Sequence, residues 1–166
     1  MGFGMGYLAG DWYEEVGAGI DYHAQLRQSV GARTHLTFVF RRQQGDRADA
    51  GEWGGDVSLK LDEYLFLLGF HGNKGGRARH LSYLELGVGI VDHDRTLDDM
   101  PYGTRRAGSA RVLPALQGGF IFPVGASAPL VEVGFHLIMK PGFLDDDELG
   151  GLAVGAHVAL QAALGG

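Results

Sequence analysis

Apolar and polar residues alternate with a period of two along most of this chain. From Val16 to Leu26, one set of positions carries Val16, Ala18, Ile20, Tyr22, Ala24 and Leu26, and the other carries Gly17, Gly19, Asp21, His23 and Gln25. Successive side chains of a strand point to opposite faces, so this is a strand with two unlike faces. The same alternation sets Leu36, Phe38 and Phe40 against His35, Thr37 and Arg41, and Leu84, Leu86, Val88 and Ile90 against Tyr83, Glu85, Gly87 and Gly89. Near the end, Val131, Val133, Phe135, Leu137 and Met139 oppose Glu132, Gly134, His136, Ile138 and Lys140. Leu152, Val154, Ala156, Val158 and Leu160 then oppose Ala153, Gly155, His157, Ala159 and Gln161. A short strand over Phe3 to Ala9 opens the chain. Two segments are less regular. Val112 to Phe122 carries Pro114, which fits a ladder only at a strand end or a bulge. In Val57 to Phe70 the apolar phase slips from odd to even positions, which predicts a bulge near Asp62 and Glu63. The pattern therefore predicts eight strands.

The predicted connections are residues 10–14, 27–32, 42–55, 71–79, 92–109, 123–128 and 141–150. After the first, every second one is long and charged, and those between are mostly shorter and rich in Gly, Ala, Ser or Pro. Hairpins in water have no reason to alternate in loop length, whereas a barrel inserted through a membrane has short turns on one rim and longer loops on the other. No solenoid repeat and no Pro- or Ser-rich linker divides the chain, so residues 1–166 form a single domain.

Alternation alone does not say which face points inward. A soluble lipocalin-like barrel would keep its apolar side chains inside and its polar ones outside. The polar face here is a poor water-facing surface, because it is built from Gly17, Gly19, Gly87, Gly89, Gly134 and Gly155 with a few long polar residues between them. The lumen of an eight-stranded barrel is narrow and suits that mixture, while the opposite face is as apolar as hydrocarbon requires. The strands are also long: about ten residues, near the ~9–11 that cross a bilayer. Glycine, 29 of 166 residues, stands far above its usual ~7% with no collagen period. The longest apolar run, Tyr64 to Phe70, is far short of the ~20 residues of a membrane helix. A net charge of -6 with no polybasic tract argues against nucleic acid as a partner. The absence of cysteine removes disulfides, thiolate metal sites and a thiol nucleophile. The predicted fold class is all-β: an eight-stranded antiparallel up-and-down transmembrane β-barrel.

The Gly-x-Gly strand pieces Val16-Gly17-Ala18-Gly19-Ile20-Asp21-Tyr22 and Tyr83-Leu84-Glu85-Leu86-Gly87-Val88-Gly89-Ile90, with the final strand Gly151 to Leu160, carry a resemblance. The whole chain resembles the small outer-membrane β-barrel domain of diderm bacteria, the group that includes OmpA- and OmpX-like barrels. Such barrels usually end on an aromatic residue read by the assembly machinery; this chain ends Gln161 to Gly166, with Gly155, Val158 and Leu160 as a degenerate version. The resemblance implies a bacterial outer-membrane location. The start of the chain lacks the basic and apolar regions of a signal peptide, so that location implies a leader already removed.

On this reading Asp21, His23, Lys60, Glu85, Arg111, Gln117, Glu132, His136, His157 and Gln161 form a polar network that plugs the lumen, since buried charges must find partners. Leu84, Leu86, Val88, Val131, Val133, Phe135, Val154, Val158 and Leu160 face lipid. His23, His35, His136 and His157 share the polar face; a metal or proton relay there is conceivable, but no matched ligand spacing supports it, and a hydrogen-bond network is the preferred reading. No catalytic residue, cofactor or metal is expected: no Ser or Thr stands near His136 on its strand, and no G-x-S-x-G, H-E-x-x-H or phosphate-binding glycine motif occurs. The acidic run Asp145-Asp146-Asp147-Glu148 reads as a solvated loop rather than a Ca²⁺ site, because EF-hand spacing is absent. Trp12, Tyr13, Trp53 and Tyr102 sit near loop bases, where an aromatic girdle would anchor the barrel or the rings would pack within loops. The expected function is structural or surface-interacting and non-catalytic, with outer-membrane lipid, lipopolysaccharide and envelope or surface proteins as partners. The competing readings are a lipid-modifying barrel enzyme, which needs a convergent Ser-His-acid set, and a soluble ligand-binding barrel.

Overall fold

The computed structural model describes residues 1–10, 19–47, 56–72, 81–99, 103–123, 130–140 and 151–162. The alternating segments form eight strands: β1 (Gly2–Gly10), β2 (Gly19–Ser29), β3 (Thr34–Arg47), β4 (Asp56–His71), β5 (Leu81–Asp99), β6 (Gly103–Pro123), β7 (Leu130–Lys140) and β8 (Gly151–Gln161). Each pairs antiparallel with the next, and β8 pairs with β1 to close the barrel. Closure gives β1 and β8 partners on both sides, so neither is a free sheet edge. Both ends of the described chain lie together: the Met1 amino group donates to the Ala162 carbonyl at 2.9 Å, and the Ala162 N–H returns a bond to Met1 at 2.8 Å. The C-terminal ends of β2, β4 and β6 and the N-terminal ends of β3, β5 and β7 lie at this same rim. The β2–β3 connection is a tight turn in which the Val30 and Gly31 N–H groups both donate to the Thr34 carbonyl.

The outer surface is a band of exposed apolar side chains. It runs from Phe3, Leu26, Leu36, Phe70, Leu84, Phe122 and Leu160 near the rim with the termini to Tyr22, Phe40, Tyr64, Ile90, Val112 and Val154. Neighbouring strands pack their rings within it, Phe38 against Phe66 at 5.1 Å and Phe40 against Tyr64 at 5.3 Å between centroids. Leu84, Leu86, Val88, Val133, Phe135, Val154, Val158 and Leu160 all point outward and are exposed, and Val131 is half-exposed on the same face. Beyond Phe40 and Tyr64 the outward positions turn polar, with Arg42, Lys60, Asp62 and Asp92.

Three features depart from the sequence-based expectation. The β3–β4 pairing runs without interruption from Val57 to Phe70 and the β4–β5 pairing from Asp56 to His71, so there is no bulge at Asp62 and Glu63. Leu61, Leu65 and Leu67 instead point inward and are at most 2% exposed. The apolar phase slips because inward and outward faces of this strand are both apolar. Second, strand extends into the expected connections 27–32, 42–55 and 92–109: β2 reaches Ser29, β3 reaches Arg47, and β5 and β6 stay paired out to Asp99 and Gly103. Gly103 has φ of +82°, the left-handed conformation that glycine enters without a Cβ penalty. Third, Lys60 stands on the outward face, because its even position in β4 matches that of Tyr64. Pro114 lies one residue past the last described β6–β7 pair, Ala115 with Ile138, an edge position of the kind a proline requires. The expected acidic run at 145–148 and the aromatic residues Trp12, Tyr13, Trp53 and Tyr102 lie outside the described residues.

Candidate functional site

The barrel interior is chemically mixed. On β3 to β6 it carries Val39, Leu61, Leu65, Leu67, Val91, Leu113 and Ala115, all buried. Beside these, strands β2 to β8 hold a dense set of buried polar groups: Asp21, His23, Gln25, His35, Thr37, Arg41, Gln43, Glu63, Glu85, Gln117, Glu132, His136 and His157. Burying so many charged side chains is tolerable only where each finds partners.

Two carboxylates organise the network near the rim that carries the termini. Glu85 accepts from Arg27 Nε at 2.8 Å and Thr37 Oγ1 at 2.7 Å, lies 2.6 Å from His35 Nε2, and accepts from Gln117 Nε2. Register explains the reach of His35. It sits beside Gly69, which in turn sits beside Glu85, so the imidazole crosses a bare strand. A Cβ on Gly69 would press on the His35 ring and stand 2.6 Å from Glu85 Cγ. Glu132 accepts from Gln25 Nε2 at 2.7 Å, Arg27 Nη1 at 3.2 Å, Tyr83 Oη and Gln161 Nε2, with His157 Nε2 at 3.1 Å. Here too glycine opens the path: Tyr83 neighbours Gly119, which neighbours Gly134, and a Cβ on Gly134 would stand 2.7 Å from the Tyr83 hydroxyl. Arg27 joins the two carboxylates, with its guanidinium carbon 4.5 Å from the Tyr83 ring centroid.

A second cluster lies along the paired row Gly4, His23, Arg41 and Glu63. Arg41 Nη1 donates to Glu63 at 2.8 Å, and its Nε lies 3.7 Å from Asp21. His23 Nδ1 lies 3.4 Å from the same Asp21 oxygen. The rings of His23 and His157 are 5.0 Å apart between centroids, and those of His136 and His157 are 5.9 Å apart.

Of the residues expected in the lumen, Asp21, His23, Glu85, Gln117, Glu132, His136 and His157 are buried inside, and Gln161 is half-buried at Glu132. Arg111 is on the inward face beside Val91, partly exposed. Lys60 is not in the lumen: outside, above the apolar band, it lies 3.3 Å from Asp62, which also receives two bonds from Arg42 at 2.7 and 2.8 Å. That arrangement, with the Arg42 bonds as its main cause, holds the Asp62 carboxyl below the usual carboxylate range. The cation between the two central carboxylates is Arg27, which the sequence reading left in a turn. Its odd position continues the inward series Asp21, His23, Gln25, and that parity was the available signal. Gln25, Thr37, Arg41 and Glu63 were likewise absent from the expected network.

No family model matches the chain, and no curated protein matches it in sequence. Among solved structures, Neisserial surface protein A (NspA) superposes over 97% of this chain and 95% of its own, with a TM-score of 0.61 and 9% identity. Ail, the attachment invasion locus protein of Yersinia pestis, solved in complex with the heparin analogue sucrose octasulfate, covers 96% of this chain and 92% of its own, with a TM-score of 0.56 and 13% identity. At such identities the likeness is one of architecture: the chain has the fold of the small eight-stranded outer-membrane β-barrels.

Proposed function

We propose that this chain is an integral protein of a bacterial outer membrane, with a structural or surface-interaction role, no catalysis of its own, and a lumen plugged by polar side chains. One observation carries the reading: exposed apolar side chains form a continuous outer band while the buried charges are paired inside. A protein dissolved in water would gain nothing from that inversion, whereas hydrocarbon demands it. The band leaves Leu84, Leu86, Val88, Val131, Val133, Phe135, Val154, Val158 and Leu160 against lipid. Arg42 and Lys60, just past the aromatic rings of Phe40 and Tyr64, stand at the level of headgroup phosphates, which supports lipid and lipopolysaccharide as immediate partners. His23, His35, His136 and His157 face the interior, away from any lipid ester, which favours the non-catalytic reading over a lipid-modifying enzyme. The network around Glu85 and Glu132, with the apolar wall of Leu65, Leu67 and Leu113, supports a closed lumen. In the native cell the protein should sediment with membranes and need detergent for extraction. Reconstituted in a planar bilayer it should show no stable large-conductance state. Recovery in the soluble fraction would refute the membrane reading, and a steady ohmic current would refute the plug.

A further inference from the structure

The outer apolar band is not uniform. Between the paired row Phe38, Phe66 and Val88 and the next row, Leu36, Leu68 and Leu86, it is indented into a groove of about 440 Å³ across β3, β4 and β5. All six side chains are exposed. Thr37, Leu67 and Gly87 line the strip between the rows, and because the Thr37 and Leu67 side chains are buried inside, the floor there is backbone. The volume falls within the ~300–1,000 Å³ of small-molecule sites. Gln28, from β2, is the polar residue on the outer wall of the groove. The rim that carries the termini lies just beyond: Thr34, paired with Phe70, is two residues before Leu36. That rim is cationic. Arg33 is exposed there, and its carbonyl accepts from the His71 N–H at 2.9 Å, which fixes it beside the end of β4. It stands three residues from Leu36, ~10 Å along a strand. Residues 72–80, which join the ends of β4 and β5, include Lys74, Arg77 and Arg79. Neither this connection nor residues 30–33 contain Asp or Glu, although the chain as a whole carries a net charge of -6.

We propose that this groove holds an acyl chain of an anionic phospholipid whose phosphate is received by Arg33. Two features of the occupant follow from the two ends of the site. A hydrocarbon chain lying between two rows of side chains meets protein atoms on both flanks and beneath it, whereas on a flat band it meets them on one side only, so dispersion contacts favour the groove over the rest of the surface. The charge of the rim selects the headgroup: a Lys or Arg at a membrane surface attracts anionic lipid and does little for a zwitterionic one. A second copy of the chain fits less well, because two such rims brought together would set like charges against each other. The site rests on the reading of the chain as an integral membrane barrel, and it is distinct from the Arg42, Lys60 and Asp62 cluster, which lies past the other end of the apolar band.

Tryptophan quenching by brominated lipids tests it. Both native tryptophans are replaced (Trp12→Phe, Trp53→Phe), and a single reporter is placed in the groove by Phe66→Trp or, should that variant not fold, by Leu68→Trp. A control reporter, Phe135→Trp, stands outward on β7, away from the groove. Each protein is reconstituted in vesicles of phosphatidylcholine with increasing phosphatidylglycerol, one of the two lipids carrying bromine in its acyl chains. The groove reporter should show phosphatidylglycerol bound at least about fivefold more tightly than phosphatidylcholine, the preference that one surface cation contributes. The control should show a ratio near one, and Arg33→Gln should bring the groove ratio down toward that of the control. Quenching of both reporters with no headgroup preference would overturn the site and leave the membrane reading standing. So would a preference that survives Arg33→Gln, or a groove reporter shielded from both lipids while the control is quenched, which would mean that a second copy covers the groove. Quenching at neither reporter would refute the membrane reading and the site with it.

Discussion

Among the described residues Arg27 is the one cation shared by the two central carboxylates, and Arg27→Met tests what holds the interior together. Methionine keeps an unbranched stem of similar reach but removes the guanidinium. Glu85 would then retain His35, Thr37 and Gln117, and Glu132 would retain Gln25, Tyr83, His157 and Gln161, so both carboxylates stay hydrogen-bonded but lose their charge partner. The Arg27 side chain is only 11% exposed and both glutamates are fully buried, so solvent does little to replace it. Removing one partner of such a buried pair costs about 3–5 kcal/mol, because the remaining charge is left uncompensated. That is a large share of a total stability of about 5–15 kcal/mol. Adding Glu132→Gln removes one of the two stranded charges, keeps an acceptor for Tyr83 and Gln25, and should recover part of the loss. The assay is urea unfolding in detergent micelles followed by tryptophan fluorescence, with the midpoint read at unchanged slope. If Arg27→Met cost under about 1 kcal/mol, or if the double variant were no more stable than the single, the reasoning from uncompensated buried charge would fail.

Val154, outward and 46% exposed, should meet lipid near mid-strand, so Val154→Arg should lower stability in a bilayer by about 2–4 kcal/mol; a spin label reporting a polar lumen at that position would refute the facing. The chain has no cysteine, so single cysteines report topology cleanly: a membrane-impermeant maleimide should label Asp98→Cys on intact cells and leave Val30→Cys unlabelled, and the reverse would invert the orientation. Because Asp62 titrates below its ordinary range when folded, its contribution is present above the unfolded carboxylate value of about 3.9 and is lost as pH falls through the folded value. The midpoint difference between wild type and Asp62→Asn should therefore hold steady from neutral pH down to about pH 5 and shrink below that; a difference that grows on acidification would contradict the assignment.

How much of this was legible in the sequence depended on whether the two faces of a strand differ chemically. In β5 and β8 they do, and period two assigned Glu85 and His157 to the inside and Leu84 and Val158 to the outside. In β4 they do not. Leu61, Leu65 and Leu67 are buried inside, as are Val39 and Leu113, while Phe66 and Leu68 stand outside, so hydrophobicity lost the phase, suggested a bulge, and carried Lys60 to the wrong face. Strand ends failed for a related reason. Residues 92–99 and 103–111 show no apolar alternation in the sequence, yet their backbones remain paired. Arg27 was lost at the opposite rim because β2 was stopped at its last apolar residue, Leu26, although the backbone continues to Ser29 with the same parity.

The glycine excess follows from the same geometry. An eight-stranded lumen has no room for long polar side chains to stand upright from every wall, so they lie across neighbouring strands, and the strands they cross must be bare. The paired row Tyr83, Gly119, Gly134, His157, Gly6 and Asp21 shows this directly: each long polar residue has glycine beside it. The row His35, Gly69 and Glu85 repeats it. Because antiparallel register sets which glycine underlies which side chain, a slip of one residue would place His157 over Phe135 or Val133 instead of Gly134 and turn the charges toward the outer band. Interior glycine and interior charge therefore select the register jointly, and Glu132 meets its five partners only in the one pairing that also leaves those glycines beneath them.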